Sequence, residues 1–226
     1  MAKVFSMQIA GVDEAGRGPI IGPLVVAGVL LDEKDLPKLM YLGVKDSKRL
    51  LPRRREELAA EIKELALKYH VAMLSPAEID RVVETGKKLH KLNRLEAQTM
   101  AKVIKILKPD VAYVDASDVL ADRFKQHIAE NLTFKVQIIS EHKADVKYPI
   151  VSAASIIAKV ERDRALSALQ EKYGNMGCGY ATDHNTIKFL EKWIRTFGFY
   201  PDFVRKSWKP AKRLKREAEA EQTKLG

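Results

Sequence analysis

The sequence predicts an α/β protein with a helical C-terminal section. Two apolar segments suited to strands lie near the start of the chain, and helical and strand patterns then alternate. After the glycines at 174, 177 and 179, the remaining segments have the pattern of helices or loops. This order is typical of a sheet covered by helices. We expect residues 1–175 to hold the sheet and residues 176–226 to pack on it, because about 50 residues bury too little surface to fold alone.

The strands are predicted where apolar runs are bounded by turn residues. They cover residues 8–13, 23–31, 70–74, 111–115 and 134–140. The second run is apolar almost throughout, which predicts a strand that is largely buried.

The helices are predicted between and after these strands, at residues 52–69, from 75 onward, 88–107, 118–130 and across most of 145–173. Residues Ser75-Pro76-Ala77-Glu78 have the spacing of a capping box with proline in the first turn. Pro109 is expected to end the helix before it.

The composition excludes several classes of protein. The single cysteine, Cys178, excludes a secreted scaffold held by internal disulfides, and zinc-finger ligands are missing. No uncharged run reaches the ~18 residues that a membrane span requires, and residues 1–7 do not resemble a signal peptide. A cytoplasmic protein without membrane contact is therefore predicted. Scarce Asn and Gln beside abundant Lys, Arg and Glu are compatible with a thermophile.

The charge of the chain is strongly basic, with a formal net charge of +10 and a pI of about 9.5. Basic soluble proteins often bind polyanions, of which nucleic acid is the commonest. A basic surface that is merely solvated remains the alternative at this point.

Acidic residues lie at or just after the ends of predicted strands: Asp13, Glu14, Asp115 and Asp145. Ligands of open α/β sheets gather at the carboxyl ends of strands. Carboxylates that converge there stay ionised together only beside a cation, and an all-oxygen site suits Mg²⁺ or Mn²⁺. The alternative is that each acid caps a helix or a turn, which is strongest for Asp115 because Asp118 is close by.

The segment Gly16-Arg17-Gly18 combines backbone freedom with one cation. Neighbours on a regular strand point to opposite faces, so Asp13 and Glu14 share a metal only if the strand breaks there. The glycines supply such a break. By itself the segment is as consistent with a turn, and it matches neither a P-loop nor a GxGxxG motif.

Several motifs together resemble the ribonuclease HII family in its archaeal form. In chain order they are Asp13-Glu14-Ala15-Gly16-Arg17-Gly18-Pro19, Asp46-Ser47-Lys48, the strand end at Asp115, Lys143-Ala144-Asp145, Ser152-Ala153-Ala154-Ser155-Ile156 and Gly179-Tyr180-Ala181-Thr182-Asp183-His184. The resemblance extends from about Gln8 to Trp208. It implies a ribonuclease H-like fold, with a mixed five-stranded sheet flanked by helices in a catalytic domain.

The resemblance also implies an activity. Members of the family hydrolyse the RNA strand of RNA/DNA hybrids and incise duplex DNA 5′ to an embedded ribonucleotide, leaving a 3′-hydroxyl and a 5′-phosphate. By motif, Asp13, Glu14, Asp115 and Asp145 would bind two Mg²⁺ or Mn²⁺ ions. Lys159 lies 14 residues beyond Asp145. That is about 21 Å along a continuous helix, so we expect Lys159 not to touch the metal ligands and to have a structural or backbone role.

The same resemblance assigns the substrate contacts. Gly16, Arg17 and Gly18 would read the 2′-hydroxyl of the ribonucleotide, the group that distinguishes RNA from DNA. Tyr180 would stack by the following sugar. The segment Asp46, Ser47 and Lys48 would contact a phosphate, with a simple turn as the alternative.

A basic tail follows the last motif, with seven basic and no acidic residues from Arg205 to Arg216. Candidate phosphate contacts are Arg205, Lys206, Lys209, Lys212 and Arg213. The alternative is a solvated helix face. Some archaeal relatives end in a sliding-clamp peptide. Only its first half is matched here, by Gln222 and Leu225, so clamp binding is not predicted. The fold class predicts a monomer.

Two other functions remain open at this stage. The chain could be a nucleic-acid-binding module without catalysis, although such a module gains nothing from acids that face phosphates. It could also be a resolvase-like or transposase-like nuclease on the same fold, which would not require a 2′-hydroxyl.

Overall fold

The computed structural model describes residues 6–44, 51–85 and 90–225, with side chains up to residue 221. The chain forms two compact units. The first lies within Met1–Ala15, Val25–Met73 and Leu92–Glu161, and the second within Gly16–Leu24, Leu74–Lys91 and Arg162–Gly226.

A mixed five-stranded sheet, as expected, forms the centre of the first unit. Its strands are β1 (Gln8–Ala15), β2 (Leu24–Asp32), β3 (Lys68–Leu74), β4 (Val111–Asp115) and β5 (Gln137–Glu141). Their order is β3-β2-β1-β4-β5. Strand β1 is antiparallel to β2 and parallel to β4, and β4 is parallel to β5. The carboxyl ends of β1, β4 and β5 therefore meet at one edge.

The helices are α1 (Leu36–Tyr41), α2 (Pro52–Leu65), α3 (Pro76–Thr85), α4 (Lys91–Leu107), α5 (Ala121–Ala129), α6 (Ala144–Lys147), α7 (Pro149–Tyr173), α8 (His184–Phe197) and α9 (Lys209–Leu225). A short 3-10 turn, Glu33–Asp35, precedes α1. In the described ranges, none of the helices is long and apolar enough to cross a membrane.

Apolar side chains cover both faces of the sheet. On one face, Ile9 and Val111 pack with Ile150 at the start of α7, in a cluster that also includes residues of α2. On the other face, Ala10 and Val12 pack with residues of α4 and α5. Because side chains alternate along a strand, Asp13 and Asp115 belong to the face covered by α7.

Several element boundaries differ from the prediction for local reasons. The helix predicted over 52–69 ends at Leu65, because β3 begins at Lys68. The helix predicted from Asp118 begins at Ala121, because Asp118 Oδ1 accepts from the backbone N of Leu120 at 3.0 Å in the preceding turn.

The capping box before α3 forms as predicted. The backbone N of Ser75 donates to Glu78 Oε2 at 2.8 Å, and the backbone N of Glu78 donates to Ser75 Oγ at 3.3 Å. Two reciprocal hydrogen bonds therefore stabilise the first turn of α3.

The second unit has its own core, which draws on two separate stretches of the chain. Ile20 and Ile21 join Leu166 of α7, Leu190 of α8 and Leu214 of α9 in one apolar cluster. This unit also includes residues 16–24, 74–91 and 162–175, whereas the prediction divided the chain at residue 176. The order of residues in the sequence did not show that residues 16–24 belong to this unit. Ile21 forms an isolated β-bridge with Val204, which brings Ile20 and Ile21 to the helical core.

Candidate active site

Asp13 and Asp115 lie next to each other at the carboxyl edge of the sheet. The parallel pairing of β1 and β4 runs to Val12 and Val114, so Asp13 and Asp115 occupy the next register position. Asp13 is only 5% exposed. The sheet therefore brings two acids from distant parts of the sequence to the same end and the same face.

Asp145 lies in the first turn of α6 and is 7% exposed. The turn is tied to β4, because the backbone N of Ala144 donates to Asp115 Oδ1 at 2.7 Å. Lys143, which precedes this turn, has a left-handed backbone with φ of 56°. These contacts place a third carboxylate within electrostatic reach of Asp13.

Burial and the neighbouring acids of this cluster raise the pKa of Asp13. Burial, and next the charge of Asp115, raise the pKa of Asp13 to about 7, with a smaller contribution from Asp145. Hydrogen bonds from Ser155 and from the backbone N of Glu14, at 2.7 Å, oppose that rise. The site thus gathers more negative charge than its own hydrogen bonds offset, which is the condition that a divalent cation relieves.

Ser155 and Lys159 are site residues that the sequence reasoning missed. The hydroxyl of Ser155 bonds to Asp13, and Lys159 Nζ donates to Ser155 Oγ at 3.0 Å. Lys159 was expected far away because one continuous helix was assumed from Asp145. The chain instead breaks at Tyr148, between α6 and α7. The i, i+4 spacing of Ser155 and Lys159 was the available signal.

Glu14 is not placed on the same face as Asp13. Strand β1 pairs regularly with β2 as far as Ala15 and Val25, so the pleat directs Asp13 and Glu14 to opposite sides. The expected break comes two residues after Glu14, at Gly16, where φ is +84°. The strand therefore stays regular across the two acids.

No three His, Cys, Asp or Glu side chains are already grouped as metal ligands within residues 6–44, 51–85 and 90–221. The donor set nevertheless fits a hard divalent cation by its chemistry. Asp13, Asp115 and Asp145 offer carboxylate oxygens, which Mg²⁺ and Mn²⁺ prefer, and their mutual repulsion favours a bound cation.

In the second unit, a tight loop carries the Gly16-Arg17-Gly18 motif. A side chain at Gly16 would lie 2.6 Å from the carbonyl oxygen of Pro23, so only glycine fits there. Gly18 is exposed, and a Cβ on it would lie 3.5 Å from the ring of Tyr180. The structure therefore brings Gly18 and Tyr180 together.

Tyr180 itself is 41% exposed. The guanidinium carbon of Arg162 lies 5.5 Å from its ring centroid, and Arg162 Nη2 donates to the carbonyl of Cys178 at 2.5 Å. An exposed aromatic ring backed by a cation is available for stacking.

The basic tail divides into two kinds of residue. Lys206, Lys209, Lys212 and Arg213 are exposed. Arg205, however, is fully buried, and its guanidinium donates to backbone carbonyls. The expectation that Arg205 contacts a phosphate is therefore corrected, because its donors are already used inside the protein.

The exposed cations of α9 surround a surface cavity of about 590 Å³. Its lining includes Lys209, Lys212 and Arg213 beside Ala181. Lys212 Nζ lies 3.4 Å from Glu84 Oε1, and Arg213 Nε lies 3.7 Å from Glu217 Oε1. Both ion pairs are exposed. Solvent-exposed pairs of this kind contribute little free energy, so they bind these cations only weakly.

The predicted phosphate contacts Asp46, Ser47 and Lys48 lie outside the described residues. The first unit therefore carries the acidic cluster, and the second unit carries the glycine motif, Tyr180 and the exposed cations.

Comparison with known proteins gives one consistent family. A family model described as ribonuclease HII matches residues 10–211 of the chain. A ribonuclease HII of Thermococcus sibiricus is 48% identical over 217 residues, which are 95% of this chain and 94% of that protein.

Solved structures agree with the sequence match. The crystal structure of ribonuclease H2 from Pyrococcus horikoshii has a TM-score of 0.87 and 43% identity, with 94% of this chain and 99% of that chain covered. The ribonuclease HII in the PCNA complex from Archaeoglobus fulgidus has a TM-score of 0.82 and 45% identity, with 91% and 96% covered.

Proposed function

The chain belongs to the ribonuclease HII family and is a hydrolase that acts on the RNA strand of RNA/DNA hybrids, and we propose that it also incises duplex DNA 5′ to an embedded ribonucleotide. The proposed products carry a 3′-hydroxyl and a 5′-phosphate. The observation that supports this proposal is the acidic cluster at the ends of β1 and β4.

We propose that Asp13, Asp115 and Asp145 hold Mg²⁺ or Mn²⁺. Glu14, which the pleat of β1 directs to the other side, would join them only if the end of the strand rearranged on metal binding. When bound, such ions lower the pKa of a water and stabilise charge on phosphate oxygens. Hydrogen bonds within the protein orient the carboxylates. The backbone N of Ala144 donates to Asp115, and the hydroxyl of Ser155 bonds to Asp13. No protein nucleophile is required.

The ribonucleotide is proposed to be recognised by the glycine motif. A 2′-hydroxyl both donates and accepts hydrogen bonds, and a backbone loop offers both partners. Gly18 is exposed and has no side chain to obstruct an approaching sugar. Tyr180, which borders Gly18, would stack by the sugar that follows.

The exposed cations Lys206, Lys209, Lys212 and Arg213 are proposed to contact phosphates of the duplex. Each phosphate contact releases counterions and adds to the salt dependence of binding. Reversal of one of these charges should flatten the slope of affinity against salt.

The decisive experiment compares three duplexes of one sequence: an RNA/DNA hybrid, a DNA duplex with one ribonucleotide, and all-DNA. We expect cleavage of the first two only, with Mg²⁺ or Mn²⁺ and not with EDTA. Ligation of the downstream fragment tests for the 5′-phosphate. Cleavage of the all-DNA duplex would indicate a resolvase-like nuclease, and binding without turnover would indicate a binding module.

The matched variants are Asp13→Asn and Asp145→Asn, with Asp122→Asn as a control on the exposed side of α5. The first two should lose most activity and keep their circular dichroism spectrum, while the control keeps activity. Full Mg²⁺-dependent cleavage by both variants would overturn the assignment of the acids.

A further inference from the structure

Arg205 is a fully buried arginine whose guanidinium spans the loop from Gly16 to Gly22, hereafter the glycine loop. Its Nη1 donates to the carbonyl of Arg17 at 2.6 Å, and its Nη2 donates to those of Gly16 and, at 3.1 Å, Gly22. Its backbone N donates to the carbonyl of Ile20 at 2.8 Å. One residue thus binds four carbonyls of a seven-residue loop.

The segment that carries Arg205 is itself fixed. The guanidinium carbon lies 5.0 Å from the ring centroid of Trp208, and Trp208 Nε1 donates to the carbonyl of Gly18 at 3.2 Å. The buried carboxylate of Asp80, on α3, accepts from the backbone N of Lys206 at 2.8 Å and of Ser207 at 3.0 Å. Arg205 and Trp208 therefore act on the glycine loop from an anchored position.

These contacts determine which way the loop's amides point. The described residues contain no cis peptide, and in a planar trans peptide the N–H points opposite to the preceding carbonyl. Because Arg205 draws the carbonyls of Gly16 and Arg17 towards itself, the N–H groups of Arg17 and Gly18 point away from it. Successive N–H groups on one side of a loop form a concavity that binds anions, and the same donors can bind the lone pairs of a hydroxyl oxygen.

We propose that Arg205 is a positioning residue for ribonucleotide recognition. It acts by holding the glycine loop so that the amides of Arg17 and Gly18 face the 2′-hydroxyl. This inference rests on the proposed role of Gly16, Arg17 and Gly18. The basic tail then has two functions. Arg205 positions the glycine loop that recognises the ribose, and the exposed lysines contact phosphates.

The role requires arginine rather than a positive charge. A guanidinium carries five N–H donors in a rigid fork and can bind three carbonyls at once. A lysine ammonium has a single nitrogen at the end of a flexible chain, so it cannot hold carbonyls that diverge as those of Gly16, Arg17 and Gly22 do.

The test uses Arg205→Lys and Trp208→Phe, with Arg195→Ala as a control that removes an exposed arginine of α8. Trp208→Phe keeps an aromatic ring beside Arg205 and removes only the hydrogen bond to Gly18. It therefore keeps the proposal testable if Arg205→Lys does not fold. For each variant we would measure the melting temperature, amide hydrogen exchange of the glycine loop without substrate, and kcat/KM on the single-ribonucleotide duplex.

We expect faster exchange at Arg17 and Gly18 in both variants. We also expect kcat/KM to fall by about tenfold to a hundredfold in Arg205→Lys, because small misplacements of a binding group cost that much. The Mg²⁺ concentration that gives half-maximal activity should not change, because the acids are untouched. The control should match the wild type in every measurement.

Loop exchange equal to that of the wild type in the folded variants would overturn the proposal, even if the melting temperature falls. A shifted Mg²⁺ requirement with unchanged loop exchange would also overturn it. If the wild-type protein does not cleave the duplex with one ribonucleotide, the proposed function fails instead. The exchange measurement separates these two failures, because it needs no substrate.

Discussion

Lys159 donates a hydrogen bond to Ser155, with 3.0 Å between its Nζ and Ser155 Oγ. Because a serine hydroxyl has one proton and already accepts from Lys159, it donates that proton to its other partner, the carboxylate of Asp13. The bond favours the ionised form of Asp13 and lowers its pKa against the effect of burial. Lys159 is thus linked to Asp13 of the acidic cluster through the hydroxyl of Ser155.

Replacing Ser155 by alanine should weaken the use of metal. The variant loses the hydrogen bond that orients Asp13, and loss of such supporting partners typically costs about 10–100-fold in metal affinity or activity. The measurement is cleavage as a function of Mg²⁺ concentration. Ser152→Ala is the matched control, since Ser152 lies on the same helix, is equally buried, and donates to the carbonyl of Val44 instead.

The control should lower the melting temperature and leave the Mg²⁺ dependence unchanged. The same Mg²⁺ curve for Ser155→Ala and the wild type would show that Asp13 is held by other contacts.

Lys159→Met should have a smaller effect than Ser155→Ala, and the two should not be additive. This prediction rests on the path from Lys159 to Asp13 through the Ser155 hydroxyl, so removal of the lysine should matter little once the hydroxyl is gone. A double-mutant cycle on kcat/KM measures this coupling. Fully additive losses would mean that Lys159 acts through a separate contact.

The stability of the metal-free protein should depend on pH through Asp13. The pKa of this buried acid is raised from 3.8 to about 7 in the folded state, so the folded protein holds a proton that the unfolded chain releases. Stability therefore falls as pH rises from about 4 to about 7, and the loss persists above that range.

Asp13→Asn should remove that loss. In EDTA it should be more stable than the wild type at pH 8, by a few kcal/mol, with a difference that vanishes near pH 4. Thermal melts across this pH range measure the effect, and Asp122→Asn should show no such trend. A variant less stable than the wild type at pH 8 would contradict the origin of the raised pKa.

Local sequence patterns predicted the acidic cluster. Features that depend on contacts between distant parts of the chain could not be predicted. Strand β4 has the predicted bounds, Val111–Asp115, because an apolar run that ends on an acid is a local signal. The role of Arg205 could not be predicted, because its partner Arg17 lies 188 residues away. In sequence, a buried arginine that binds carbonyls looks the same as an exposed arginine in a basic tail.

Asp118 should stabilise the fold above pH 4. Arg123 donates to both of its oxygens, and these bonds, opposed by burial, hold the pKa of Asp118 well below its ordinary value. A depressed pKa means that the full contribution is present above the ordinary pKa of 3.8 and is lost as pH falls below it.

Asp118→Asn should cost about 1–3 kcal/mol in the free energy of unfolding at neutral pH, because hydrogen bonds to a charged partner are lost. Urea denaturation at several pH values measures this cost, which should shrink towards pH 2. A difference that stays constant down to pH 2 would mean that packing, not charge, accounts for it.

Gly11 and Gly28 should respond differently to alanine. A Cβ on Gly11 would lie 2.1 Å from the backbone oxygen of Ile150, where α7 crosses β1. A Cβ on Gly28 would meet only side-chain atoms in this range, Val103 Cγ1 at 2.5 Å and Leu107 Cδ1 at 2.7 Å. Side chains can change rotamer, whereas a helix must move as a whole.

Gly28→Ala should therefore cost about 1–3 kcal/mol, as overpacking commonly does, and leave cleavage intact below its melting temperature. Gly11→Ala should exceed that cost and also reduce cleavage in the molecules that still fold, because the helix that moves carries Ser155 and Lys159. Melting temperature and specific activity of the two variants, measured side by side, test this difference. Equal losses of stability, or a folded Gly11→Ala protein with full activity, would show that α7 can shift without disturbing the acids.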